Sequence, residues 1–231
     1  QLSDDDRRWL AGLALTKNLW QLKTTIVHST LDSPEAWGYI YAGNKFIPKA
    51  EKGGIILLVD SSYIKALSKE INTVYTDLYS SGYFPTIIFA GRKEKAEDVK
   101  MRIKAFVDKA SIRPKAIYII GHVPVPYSGY FSSNGDRPPP DGHVEGAGNH
   151  TGAWPADLYY GELEGLWSDQ NVNCITGGDP RHHNVPNDGK FDQSVVDNPV
   201  ELEVGRIDMF GMDQFSKNDT LLVKEYLNRV H

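Results

Sequence analysis

The sequence predicts an α/β domain with a parallel sheet flanked by helices, and three observations carry that expectation. Ile55-Ile56-Leu57-Leu58-Val59 is a continuous apolar run, the pattern of a strand buried on both faces. Thr86-Ile87-Ile88-Phe89-Ala90 and Ala116-Ile117-Tyr118-Ile119-Ile120 repeat it. Between the runs, apolar residues step by three and four, as on one face of a helix.

The elements follow in order. After Gly53-Gly54 and the first strand, Ser61 and Ser62 stand where a helix cap belongs. Ile64, Leu67, Ile71, Val74 and Leu78 make one stripe, and Gly82 is placed to stop the helix. Val99, Ile103, Phe106, Val107 and Ala110 mark the second helix, ended by Pro114. Strand–helix–strand–helix–strand with short connections implies parallel strands joined by crossovers. Val200 to Ile207 alternates as a fourth strand. A closing helix is expected from about Asp219 to Val230, with Leu222, Tyr226 and Val230 on one face. Residues 1–52 read as an extension, a helix from Asp5 to about Leu22 and a strand at Trp37–Tyr41.

Composition narrows the function classes. A chain of 231 residues is long enough to bury a sizeable core. Its formal net charge of −5 argues against a nucleic-acid partner, which calls for a basic face. No apolar run approaches the length of a membrane span. The single cysteine, Cys174, excludes an internal disulfide. The chain opens on Gln1 without a signal peptide, as expected of a processed product or an excised piece.

Residues 121–200 hold 12 of the 21 glycines, 9 of the 13 prolines and 5 of the 7 histidines. A segment so rich in breakers is a long loop insertion, and loops of that length are usually functional or ordered by a metal. Its acids, Asp157, Glu162, Glu164, Asp169, Asp188 and Asp192, suit an irregular calcium site, because calcium gathers six to eight oxygens. Asp188 and Asp192 lead that expectation, then Asp169, Asp157 and Glu162; Asx-turns and helix caps would use the same residues. His143, His150, His182 and His183 lack the short paired spacing of a zinc site. The loop's aromatics, among them Tyr127, Tyr130, Phe131, Trp154, Tyr159, Tyr160 and Trp167, either stack on a glycan or clamp the loop to the sheet.

Open parallel sheets bind ligands beyond the carboxyl ends of their strands, so Asp60, Gly91, Gly121-His122 and Arg206 share the edge of interest. No glycine follows Asp60 directly, which argues against a nucleotide. His122 is the candidate general base, but a base needs a nucleophile in reach. Cys174 lies in a polar stretch, and no Gly-x-Ser-x-Gly elbow is present.

Three segments then occur in a telling order: Ile117-Tyr118-Ile119-Ile120-Gly121-His122, Ala156-Asp157-Leu158-Tyr159-Tyr160-Gly161, and Glu203-Val204-Gly205-Arg206-Ile207. Together they resemble gingipain-like cysteine peptidases of the caspase-like clan. The likeness is greatest to a secreted bacterial group with the motifs found at His122–Gly129, Gly152–Asp157 and Asp188–Ser194, and it covers roughly residues 53–231. The resemblance implies the first of two subdomains. It also implies a secreted or cell-surface location, calcium in long loops, and a catalytic partner subdomain, in the same polypeptide or a processed companion chain. The family's catalytic His and Cys lie beyond the Val-Gly-Arg strand and its helix, so no position here matches them. In the caspase-like order the His follows the third strand and the Cys follows the fourth. His122 takes the first place, while Arg206-Ile207-Asp208 stands in the second. A glycan- or protein-binding module using residues 127–167, or a self-sufficient hydrolase using His122, are the other functions left open.

Overall fold

The computed structural model describes residues 18–25, 35–42, 52–132, 135–137, 152–175, 179–196 and 198–231. The chain divides into two units, Gln1–Glu51 and Lys52–His231. In the first, β1 (Asn18–Thr25) pairs antiparallel with β2 (Glu35–Ala42) over eight residues each. The expected helix is thereby corrected over its last turn: Asn18–Leu22 is strand, stabilised by a full ladder with β2. The rest of that helix, residues 5–17, lies outside the described residues.

The second unit is an α/β fold. Its four-stranded sheet contains β3 (Gly53–Asp60), β4 (Tyr83–Ala90), β5 (Pro114–Ile120) and β10 (Glu203–Ile207). All are parallel, in the order β10-β5-β3-β4. The central strand β3 is buried almost throughout, as its unbroken apolar run requires. β4 begins three residues earlier than its apolar run, because an edge strand tolerates Pro85.

Two apolar layers flank the sheet. On one face Leu57, Val59, Ile120 and Ile207 meet α1 (Tyr63–Ala66), α2 (Ser68–Ser80) and α5 (Asp219–Val230). On the other, Ile56, Leu58, Ile117 and Ile119 meet α3 (Ala96–Val107), α4 (Leu158–Gly161) and the long loop. The expected first helix is broken at Leu67, and Ser62 makes no side-chain cap. In α5 the buried side chains are Val223 and Leu227, one position on from the expected stripe. Tyr226 and Val230 face outward, 39% and 58% exposed. No described helix is long and apolar enough to cross a membrane.

The long loop contributes short pieces: β6 (Tyr127–Ser128) with β9 (Trp154–Pro155), β7 (Tyr130–Ser132) with β8 (Gly135–Arg137), and a 3-10 turn at Pro180–His182. Tyr159, Tyr160 and Phe191 are buried in the core, and Trp167 packs edge-on to Tyr159 with ring centroids 5.0 Å apart. These aromatics clamp the loop to the sheet.

Candidate functional site

The sheet reverses its direction of growth between β3 and β5, and the crevice beyond those carboxyl ends is where such folds hold ligands. Asp60 ends β3 there, fully buried. Its Oδ1 accepts from Ser62 N–H at 2.9 Å; its Oδ2 accepts from Arg92 Nε at 2.7 Å and His122 N–H at 3.2 Å. Arg92, just past β4, also donates through Nη2 to Asp219 in the first turn of α5. The Tyr63 hydroxyl donates to the same Asp219 oxygen at 3.0 Å. Burial, and then the bond to Asp219, push the Tyr63 hydroxyl well above the ordinary tyrosine range. Burial pushes the Asp219 carboxyl up, but the bonds from Arg92 and Tyr63 outweigh it and hold it below the usual carboxylate range.

Two of these side chains, Tyr63 and Asp60, pack against the turn after β5. Gly121 has φ +92°, and a Cβ there would meet Tyr63 Cε2 at 2.3 Å and Asp60 Cβ at 2.7 Å. Only glycine fits between these side chains and the turn into His122.

His122 Nδ1 lies 2.8 Å from Asp208 Oδ2, and its ring stacks on Phe210 at 4.0 Å. Asp208 Oδ1 accepts from Phe210 N–H at 2.9 Å, which fixes the carboxylate. A carboxylate on Nδ1 is the orienting half of a triad. The turn after β10 thus brings a carboxylate, Asp208, to His122. Cys174 is buried and pairs its backbone with Asn184, at 2.7 and 2.8 Å.

Arg206 binds the two sides of this edge together. It grips Asp157 through Nε and Nη2, both at 2.7 Å. Nη1 donates to Val123 O at 2.7 Å and Nη2 to Pro124 O at 3.3 Å. The Tyr160 hydroxyl donates to Pro124 O at 2.7 Å. The guanidinium therefore holds the turn after His122 against the loop that returns through Asp157.

The five carboxylates considered for calcium are each engaged by the protein's own donors. Asp157 is held by Arg206. Glu162, fully buried, accepts from Trp167 Nε1 at 2.8 Å and from Gly165 N–H, with Lys100 Nζ 3.7 Å away. Burial raises its pKa, but those bonds and the Lys100 charge outweigh it and hold it low. Burial lowers the pKa of Lys100, against the pull of Glu162. Asp169 accepts from Asn187 N–H and Gly189 N–H at 2.8 and 2.7 Å. Asp188 accepts from Lys190 N–H at 2.9 Å and Val185 N–H at 3.2 Å. Asp192 takes the Ser168 hydroxyl at 2.7 Å and the N–H groups of Gln170, Asn171 and Val172. Burial raises its pKa too, but these four donors outweigh it and hold it below the usual range. Among the described residues no three His, Cys, Asp or Glu side chains converge as a metal would need, so the five form no single oxygen cage. Glu164 pairs with Lys104 at 2.7 Å. His182 stacks on Trp154 at 3.9 Å; His143 and His150 lie outside the described residues.

Sequence reading did not find Arg92, Asp219 and Tyr63. The available signal was Asp60, a charge that closes the buried strand β3 and must be paired there, with Arg92 just past β4 as a cation in reach. Comparison with family models, with curated proteins and with solved structures finds no match to this chain.

Proposed function

We propose that this chain is the first, non-catalytic subdomain of a secreted or cell-surface gingipain-like cysteine peptidase. It supports a catalytic half that lies outside residues 1–231. The observation that carries this reading is the His122–Asp208 pair. A histidine after the third parallel strand is joined to the residue after the fourth, where a caspase-like enzyme would keep its nucleophile. With a carboxylate in that place, His122 is paired with an orienting group rather than with a thiol. Two further features support a scaffold role. Tyr63 and Arg92 both donate to Asp219 at the switch point, and Arg206 ties the surrounding turns to Asp157.

The test is to isolate the native gene product from its source with an antibody to this chain and react it with a thiol-directed peptide probe. The proposal expects the product outside the cytoplasm, with the label on a cysteine beyond residue 231. Labelling of Cys174 instead, or a native product that ends at His231, would overturn it.

A further inference from the structure

The segment after β10 and helix α5 leave an open groove of about 460 Å³ between them. Its apolar walls are Met209, Met212 and Phe215 on the segment and Leu222 and Tyr226 on the helix. The volume lies within the range of small-ligand pockets, roughly 300–1,000 Å³. Two of the walls are held in place: Tyr226 hydrogen-bonds Tyr118 of β5, and Met209 packs on the core that α5 covers. The others can adapt to an occupant, Met212 through its unbranched thioether chain and Phe215 because it is 51% exposed.

The helix adds charge to the same wall. Leu222, Glu225, Tyr226 and Arg229 stand three and four apart, so they follow one another along the groove. Glu225 is engaged by Lys217 across the groove's rim at 2.5 Å. Arg229, in the last turn, lines the groove and has no ion-pair partner among the described residues. An apolar wall therefore runs up to a cation with no protein counter-charge. The chain as a whole carries −5 and repels anions, so an anion held here is held by this arrangement rather than by the general field.

We infer that this groove binds a small amphipathic monocarboxylate, an acid with a medium-length apolar chain. From Leu222 to Arg229 the helix rises about 10 Å, close to the length of such a chain. The chain lies against Met212, Phe215, Leu222 and Tyr226, and the carboxylate takes charge-assisted bonds from the Arg229 guanidinium. Glu225 on the same rim opposes a second negative charge, which selects against phosphates and dicarboxylates. This site goes beyond the subdomain role proposed above and does not depend on it.

Calorimetric titration of the purified chain with octanoate tests this, with 1-octanol and butyrate as probes of the chain and the charge alone. Arg229→Gln and Leu222→Asp are titrated alongside. Octanoate is expected to bind once per chain, with a dissociation constant on the order of 0.1–1 mM. Octanol and butyrate should each bind at least about tenfold more weakly. Arg229→Gln should weaken octanoate about tenfold and leave octanol unchanged. Leu222→Asp should weaken octanoate at least as much, with unchanged circular dichroism. No saturable binding of octanoate up to about 10 mM, ten times the weakest expected constant, would overturn the inference. So would octanol bound as tightly as octanoate, or octanoate binding that Arg229→Gln leaves intact.

Discussion

His122 Nδ1 sits 2.8 Å from Asp208 Oδ2, which joins the turn after β5 to the turn after β10. The pair is 29% and 15% exposed and shielded on one side by Phe210, so it latches the sheet's carboxyl edge. His122→Ala removes the latch and the stacking partner of Phe210. We expect a loss of about 1–2 kcal/mol, in the range of a partly buried hydrogen bond to a charged group. Urea unfolding of the two chains side by side measures it.

Arg206 is worth more. Its guanidinium forks onto Asp157 and also satisfies two main-chain carbonyls of the turn after His122. Arg206→Lys keeps the charge but not the fork, so it should still cost about 2–3 kcal/mol. Arg206→Ala should cost about 3–5 kcal/mol, because Asp157 is left without its cation. If the lysine variant melts with the wild type, the fork is not what holds this edge.

Asp192 anchors the long loop by accepting from Ser168, Gln170, Asn171 and Val172. Asp192→Ala strands those donors in a site where Asp192 is 8% exposed. We expect a loss of about 2–4 kcal/mol, and each kcal/mol shifts the midpoint of a domain of this size by about 2–4 °C. Melts in millimolar calcium and in chelator belong with the series. Loop closure by amide donors alone predicts the same wild-type midpoint in both, whereas a rise with calcium would place a cation among these carboxylates.

Acid should unfold the chain through the same groups. Asp192, Glu162 and Asp219 are all held below their ordinary carboxylate range. A depressed folded pKa gives stability that is complete above the unfolded values, about 3.9 for Asp and 4.3 for Glu. That stability is lost as pH falls through the folded ones. Stability should therefore hold to about pH 4.5 and fall steeply below it. In Asp192→Asn the slope should be shallower. An equal acid slope in both chains would remove Asp192 from the explanation.

The strands of the sheet were legible because parallel strands buried on both faces must be apolar at every position, as Ile55–Val59 is. The face of α5 was not. Leu222, Tyr226 and Val230 and the pair Val223 and Leu227 are both apolar at helical spacing, and only packing on Ile120 and Ile207 selects the second. The carboxylates of the loop were legible, with a cation and the loop's own turns as alternative uses. A dense run of acids looks alike whether it meets a cation or the loop's own N–H groups. The Arg206–Asp157 bond joins residues 49 positions apart, a pairing that periodicity cannot express. His122 was found from its place after the third strand. Its partner Asp208 stood in view, within the Arg206-Ile207-Asp208 segment that ends the fourth strand.

Peptide turnover shows directly whether His122 serves a nucleophile at this edge. Pure wild-type chain and His122→Ala are incubated with a mixed fluorogenic peptide library, with and without a thiol reductant. No hydrolysis above the buffer blank is expected for either chain. Turnover by the wild type that His122→Ala abolishes would contradict it and make the chain a hydrolase in its own right.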